Sequence, residues 1–369
     1  MKLGFFKRLI VPGLIFQSTM IGGGYATGRE LVEFFLTLGP RSGLLAMLIA
    51  TLIISLVCSL AFELARRYSL YDYRTFFKKL LGSAWIIFEL AFLSLVLLIL
   101  SVLGAASNEM ISAQFELPAM TGSILLMSTI AVLVFWGSNA IMNFLSAWSV
   151  LLYVTYGALI IWSALVFGGE IQQNFLTTEQ PRVGLSAVQG GIVYAGYNVV
   201  TFTSVLFIVR QFSSRSDALW AGALCGPLGM IPGLLLLLAM SAHYPQVNDE
   251  ALPINFLLGQ LQAPSLLIFF QLVIFGTFIE TGTAFLHSVN ERVSHVFLEH
   301  SRKMPRLLRP AISIGFMVVA IFLADAVGIV NLIGQGYTYA TYLFLAIVVA
   351  PLLTRGVLLL WRNSEPLDG

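Results

Sequence analysis

Ten apolar runs follow one another along this chain with only short polar connections, at about 9–36, 42–65, 82–108, 119–136, 141–168, 185–209, 217–241, 254–290, 310–326 and 329–358. A helix needs ~17–25 such residues to cross the hydrocarbon of a bilayer, and every run reaches that range. This succession leaves no stretch from which a separate soluble domain could be built. Composition agrees: 58% of the 369 residues are hydrophobic and 10% are charged, against about 45–50% and about 25% in soluble domains. Such a chain lacks the polar surface to cover itself in water. That excludes a soluble enzyme, a disordered chain and a small disulfide-stapled module. Uninterrupted runs such as Leu234-Leu235-Leu236-Leu237-Leu238 lack the alternation of barrel strands, whereas helices satisfy their own backbone groups in lipid. The expected fold is an all-α integral membrane protein with ten transmembrane helices.

The basic residues orient it. With the N-terminus in the cytoplasm, the inner side holds Lys2, Lys7, Arg8, Arg66, Arg67, Arg74, Lys78, Lys79, Arg210, Arg215, Arg292, Arg302, Lys303, Arg306, Arg309, Arg355 and Arg362, which is 17 of the 20. Arg29, Arg41 and Arg182 fall outside, where the loops carry Glu116, Glu170, Glu179, Asp249 and Glu250. Both termini are therefore expected in the cytoplasm. The start imitates a signal peptide, but no small-x-small cleavage site follows, and a retained first helix is expected. The net charge of +2 is spent on orientation, so no nucleic-acid partner is implied; the partners expected are the lipid bilayer and a small-molecule solute. Cys58 and Cys225 sit inside apolar runs, as small buried hydrophobes do. No HExxH pair, GxSxG elbow or paired catalytic Asp motif occurs. No enzyme activity and no cofactor is expected.

The first run is interrupted by Gly22, Gly23, Gly24 and Gly28, and each glycine costs about 1 kcal/mol against alanine inside a helix. The sixth run carries Gln189-Gly190-Gly191-Ile192-Val193-Tyr194-Ala195-Gly196-Tyr197-Asn198. The two interruptions lie five runs apart. Five is odd, so the second set enters with opposite orientation. This predicts two inverted five-helix repeats, residues 1–170 and 171–369, each opening with a broken helix, all in one membrane domain. Glycines that only permit close helix packing are the competing reading. Non-helical backbone in a membrane is tolerated only where protein buries it or it lines a cavity. The end near Thr27 and Gly28 would then offer amides to an anionic group, and the end near Met20 and Ile21 carbonyls to a cation.

Polar groups at depth are costly and usually paired or functional. In the eighth run Thr277, Glu280, Thr281, Ala284, His287, Ser288 and Glu291 recur at steps of three or four and share a stripe. Glu280 is a candidate to carry a coupling proton or to neutralise a cationic substrate. Ser94, Ser101 and Asn108 share a face of the third run. Arg29 would close an outer gate against a carboxylate such as Asp325, or snorkel to the interface. Tyr337, Tyr339 and Tyr342 belong either to gating or to packing.

The stretch Gly-Gly-Gly-Tyr-Ala-Thr-Gly-Arg-Glu-Leu-Val-Glu-Phe-Phe over 22–35 resembles the first-helix signature of the YkvI-like bacterial membrane proteins, Gly-x-Gly-Phe-Ala-(Ser/Thr)-Gly-(Gln/Arg)-Glu followed by Phe-Phe. Tyr25 stands where Phe is usual. Asn290-Glu291-Arg292 is similar to that family's later motif, and span count and length agree across the chain. The resemblance implies the amino acid–polyamine–organocation superfamily, the leucine-transporter fold and a bacterial cytoplasmic (inner) membrane. It implies a Na⁺ site formed by Thr281 and Thr283 with the backbone of Ile21 and Gly24. The absence of lysine from the fifth run disfavours a lysine ammonium in place of sodium.

The expected function is secondary transport of a small organic solute, an amino acid or amine, coupled to Na⁺ or H⁺ by alternating access. The expected solute contacts are Gly23, Gly24, Tyr25, Thr27 and Gly28 at the first break, Tyr194, Gly196, Tyr197 and Asn198 at the second, and Ser101. The rivals are a solute-sensing receptor on the same scaffold and a channel lined by the two breaks.

Overall fold

The computed structural model describes residues 6–115, 117–118, 120–136, 138–178, 184–299, 304–305 and 307–362. Of the residues used above to orient the chain, Lys2, Glu116, Glu179, Arg182, Arg302, Lys303 and Arg306 lie outside the described ones. The rest is almost entirely helical. Seven helical stretches among the described residues are long and apolar enough to cross a membrane: Pro40–Tyr68, Tyr73–Ser112, Leu151–Thr177, Arg215–His243, Pro264–Ser294, Leu308–Val327 and Ile329–Trp361. Of the other apolar runs, Thr121–Leu133 forms a shorter apolar helix, and the first and sixth are segmented. Rows of large apolar side chains face outward, such as Leu48, Leu52 and Leu56 at one-turn intervals. Such rows are sustained only against lipid. The protein is a multi-pass membrane protein.

The first run begins as a wide turn over Phe6–Ile10 and continues as α1 (Val11–Met20). It stops where Ile21 takes ψ 84° and Gly22 an extended φ −105°, ψ −163°. It resumes as the short α2 (Gly23–Ala26), turns at Gly28, and continues as α3 (Arg29–Phe34). Gly28 has φ +82°, a conformation costly for any side chain. A Cβ there would also lie 2.9 Å from the Met240 sulfur.

The next elements are α4 (Pro40–Tyr68), α5 (Tyr73–Leu81), α6 (Trp85–Phe115), α7 (Thr121–Trp136) and α8 (Ser138–Thr177). Pro40 starts α4 in the first turn, where its missing N–H costs nothing. Asp72 caps α5 by accepting from the Thr75 amide at 2.9 Å. That helix buries Phe76, Phe77 and Leu80 and leaves Lys78 and Lys79 exposed.

The sixth run forms α9 (Leu185–Asn198), tightens to a 3₁₀ helix over Val199–Ser204, and ends in α10 (Leu206–Val209). The expectation of an unwound stretch at Gly190–Asn198 is thus corrected: that stretch is α-helical, and the change of winding begins at Val199. The glycines explain why. A Cβ at Gly190 would meet the Phe34 carbonyl at 2.6 Å, one at Gly191 the Ala46 carbonyl at 2.6 Å, and one at Gly196 the Thr341 methyl at 2.5 Å. They serve close helix approach.

Beyond a capping box of Ser214 and Asp217 comes α11 (Arg215–Met240). The chain then runs through α12 (Pro253–Gln260) to α13 (Pro264–Glu299), α14 (Leu308–Val327), α15 (Ile329–Asn331), α16 (Thr338–Phe344) and α17 (Val357–Arg362), with wide helical turns joining the last three.

Helices α4 and α11 lie against each other so closely that a Cβ at Gly222 would sit 2.4 Å from Ser59 Cα. Two serines of α4 join them: Ser59 donates to the Leu219 carbonyl at 2.9 Å and Ser55 to the Ala223 carbonyl at 2.7 Å. The second bond follows from the sequence of α11. Pro227 has no N–H to give the carbonyl four residues back, and Ser55 supplies the missing donor.

Candidate functional site

The break in the first run opens onto a cavity of about 250 Å³. One wall is the break itself: Thr19, Met20, Gly22 and Gly23, with Glu30 returning from α3. The opposite wall comes from the sixth run, from Tyr197 and Asn198 at the end of α9 and Thr201, Thr203 and Ser204 in its 3₁₀ turn. Helix α13 adds Thr281, Ala284, Phe285, Ser288 and Arg292 along one stripe, and Tyr73, Phe92 and Tyr337 complete the enclosure.

Glu30 sits where the two segmented runs meet. Its residue is 3% exposed. The Tyr197 hydroxyl donates to its Oε2 at 2.6 Å. Its other oxygen lies over Gly24, close enough that a Cβ on Gly24 would be 2.5 Å away. Glycine at 24 is what lets the carboxylate fold back onto the break. Tyr197 in turn stacks on Tyr337, with centroids 4.5 Å apart and 22° between planes.

Two charged clusters flank the break and the cavity. Next to Glu30 in the chain, Arg29, 4% exposed, pairs with Glu33 and donates to the carbonyls of Asn248 at 2.8 Å and Glu250 at 3.0 Å. This fastens α3 to the loop before α12. On the cavity lining itself, Arg292 pairs with Glu89 at 3.0 Å. Its guanidinium lies 3.5 Å from the ring centre of Tyr73 and 3.6 Å from that of Phe92, a favourable placement for a cation. Asn290, in the same three-residue motif, donates to Ser313 at 2.9 Å and ties α13 to α14.

Of the expected solute contacts, Gly23, Tyr197 and Asn198 line this cavity and the others do not. Tyr25 is fully buried and donates to the Gly229 carbonyl at 3.1 Å, toward α11. Tyr194 is fully buried behind Tyr197, with centroids 5.7 Å apart. Gly196 meets Thr341, and Ser101 donates to Leu97 within its own helix. The amides of Thr27 and Gly28, expected to be open to an anion, are taken by the carbonyls of Gly23 and Tyr25.

Of the expected ion site, Thr281 stands beside the break, its methyl 3.6 Å from a Cβ position on Gly22. Thr283 is buried without lining the cavity, because two residues along a helix turn a side chain to nearly the opposite face. Gly24 faces the Glu30 carboxylate. Glu280 is half-buried off the cavity, within electrostatic reach of Tyr153 on α8.

The structure does not bring Arg29 and Asp325 together: Arg29 is held by Glu33 and loop carbonyls, while exposed Asp325 lines a separate cavity with Asn108 and Glu109. Asn108 is occupied there in accepting from the Ser123 amide at 2.8 Å. Tyr339 and Tyr342 are largely exposed. Sequence reasoning missed Glu30, Thr19, Ser204, Arg292 and Tyr337 as cavity residues. For Glu30 the signal exists: it is a carboxylate inside an apolar run.

Comparison with known proteins gives likenesses in sequence and in fold. No family profile matches the chain. It is 24% identical over 347 residues to the uncharacterized membrane protein YkvI of Bacillus subtilis (strain 168), covering 91% of this chain and 93% of that one. The fold is similar to that of a crystal structure of a mutant of the Eremococcus coleocola manganese transporter. There the TM-score is 0.53 at 14% identity, covering 93% of this chain and 77% of that one.

Proposed function

We propose that this protein is a secondary transporter of a small organic solute, an amino acid or amine, coupled to Na⁺ or H⁺ by alternating access. The observation that carries the reading is the Glu30–Tyr197 bond at the broken helix. It joins the two segmented runs beside a cavity that Arg292 also lines, and the Arg29 cluster follows the break directly in the chain. The likeness in fold to a transporter supports it.

In this reading ten spans form two inverted repeats, 1–170 and 171–369, in a bacterial inner membrane with both termini cytoplasmic. The spans built on α1–α3, α4, α9–α10 and α11 rock against those of α6, α7, α13 and α14. The Arg29 cluster then seals the outer side and the Arg292 cluster the cytoplasmic one. Thr281 and the Ile21 carbonyl beside the break would hold a coupling Na⁺, while Glu30 and Glu280 are the carboxyls available to a coupling H⁺. A divalent cation as cargo is less well served. Such ions demand several hard oxygen or imidazole ligands, and no group of three or more His, Cys, Asp or Glu side chains gathers among the described residues.

The test is uptake into proteoliposomes under imposed Na⁺ or H⁺ gradients. Saturable accumulation driven by one gradient is expected. Binding without counterflow would replace transport with sensing, and unsaturable flux would replace it with a channel. Gradient dependence that survives in Glu280→Gln would remove Glu280 from coupling.

A further inference from the structure

We infer that the cavity recognises a primary ammonium group on a solute that carries no carboxylate, with Glu30 as its counter-charge. The inference rests on the transporter reading for its biological sense but on the cavity alone for its chemistry.

The first argument is charge. Among the described residues, two charged side chains line the cavity, Glu30 and Arg292. Arg292 is already matched by Glu89. Glu30 is 3% exposed and receives only neutral donors, the Tyr197 hydroxyl and the Tyr25 amide. A carboxylate at such depth is stabilised by a cation, and the cavity beside it is where one fits.

The second argument is the polarity of the hydroxyls. Thr19 donates to the Ile15 carbonyl at 2.9 Å and lies 3.2 Å from the Ser204 hydroxyl, Thr203 donates to the Val200 carbonyl at 2.8 Å and Ser204 to the Thr201 carbonyl at 2.7 Å. A hydroxyl has one proton and two lone pairs. With the protons committed to the main chain, these side chains offer the cavity acceptors. An ammonium with three donors suits these three side chains; a carboxylate, which only accepts, would have to turn to Thr201, Thr281 and Ser288 on the same lining.

The third argument concerns the break. The place over Gly24 that an incoming carboxylate would need is filled by the chain's own carboxylate, which sits within 2.5 Å of where a Cβ would be. The amides of Thr27 and Gly28 beyond it are bonded within the backbone. A zwitterionic amino acid would set its carboxylate against Glu30, a like-charge contact in a desolvated site. The stacked rings of Tyr197 and Tyr337 line the same cavity and add an aromatic surface favourable to an organic cation.

The experiment compares matched pairs on the purified full-length protein in detergent, by thermal shift and isothermal titration: isobutylamine against valine, phenethylamine against phenylalanine, with isobutyrate and phenylacetate as anionic controls. The expected result is that at least one amine binds at least about tenfold more tightly than its amino acid, and that neither anion binds. Glu30→Gln should lower amine affinity by at least about tenfold, the effect of removing one partner of a charge-assisted bond. If that variant fails to fold, the wild-type amine-to-amino-acid ratio decides alone. Equal or tighter binding of the amino acids, binding of the anions, or no binding of either amine overturns the inference. Gradient-driven uptake in proteoliposomes keeps the two readings apart. Amine binding without uptake removes the transporter and leaves the cation site. Amino-acid uptake without amine preference removes the cation site and leaves the transporter.

Discussion

Gly24→Ala tests whether Glu30 owes its position to the missing side chain at 24. A Cβ there falls 2.5 Å from Glu30 Oε1, 2.7 Å from its Cγ and 2.9 Å from its Cδ, all well inside the ~3.5–4.0 Å of a comfortable contact. Three atoms of one side chain are struck, so rotation of the terminal carboxylate alone does not relieve it. Glu30 must swing away and lose the 2.6 Å bond from Tyr197. A hydrogen bond to a charged group is worth ~1.5–3 kcal/mol. Alanine returns up to ~1 kcal/mol, because residue 24 is helical and glycine is the poorer helix former. The net loss should be ~0.5–3 kcal/mol, read as a shift in denaturant midpoint in mixed micelles. Amine affinity should fall with it. Removing the carboxylate in the same background, Gly24→Ala with Glu30→Ala, withdraws all three struck atoms. The two costs should therefore fall short of additive by about 0.5 kcal/mol or more. Strict additivity, or a Gly24→Ala protein with unchanged midpoint and affinity, would refute the claim that this glycine seats Glu30.

Gly222→Ala puts a Cβ 2.4 Å from the backbone of Ser59, which no side-chain motion relieves. It should cost ~3 kcal/mol or more, seen as loss of the monodisperse peak in size-exclusion chromatography. Arg292→Leu leaves Glu89 without its cation and should destabilise by ~3–5 kcal/mol, while Ser288→Cys in that background becomes faster to label with a thiol reagent. Arg29→Gln removes the ion pair to Glu33 and loosens the loop at Asn248 and Glu250, so Asn198→Cys should react faster with an impermeant reagent added on that loop's side. Tyr197→Phe withdraws the hydroxyl that donates to Glu30 Oε2 and should cost ~1–3 kcal/mol by leaving that oxygen unsatisfied, measured as a lower denaturant midpoint.

The break at Ile21–Gly22 is legible in the sequence because it is local: consecutive glycines lower the cost of leaving the helix, and the residues that leave are the ones that signal it. The sixth run carries a similar signal with a different cause. Gly190, Gly191 and Gly196 face Phe34, Ala46 and Thr341, partners far away in the chain. Composition alone does not distinguish a glycine that frees the backbone from one that admits a neighbour. The eighth-run stripe points in the right direction, and Thr281, Ala284 and Ser288 do share the cavity face. Glu280 lies at the edge of that stripe, and helical periodicity does not say where a face ends. Glu30 follows the break in sequence and so reads as lying outside it. The left-handed turn at Gly28 brings it back over Gly24, a reversal that a linear reading of depth does not contain.

The union of α4 with α11 sets how force travels through the molecule. A pair of rods sewn together by Ser59 and, at the gap left by Pro227, by Ser55 resists shear along its seam, so in the proposed rocking it would turn as one lever. Tyr25 grips that lever at the Gly229 carbonyl. Torque applied at the interrupted first run would then be delivered to the far end of α4, where Arg67 and Tyr68 hold the Leu360 and Leu359 carbonyls, with the final helix as the distant end of the linkage.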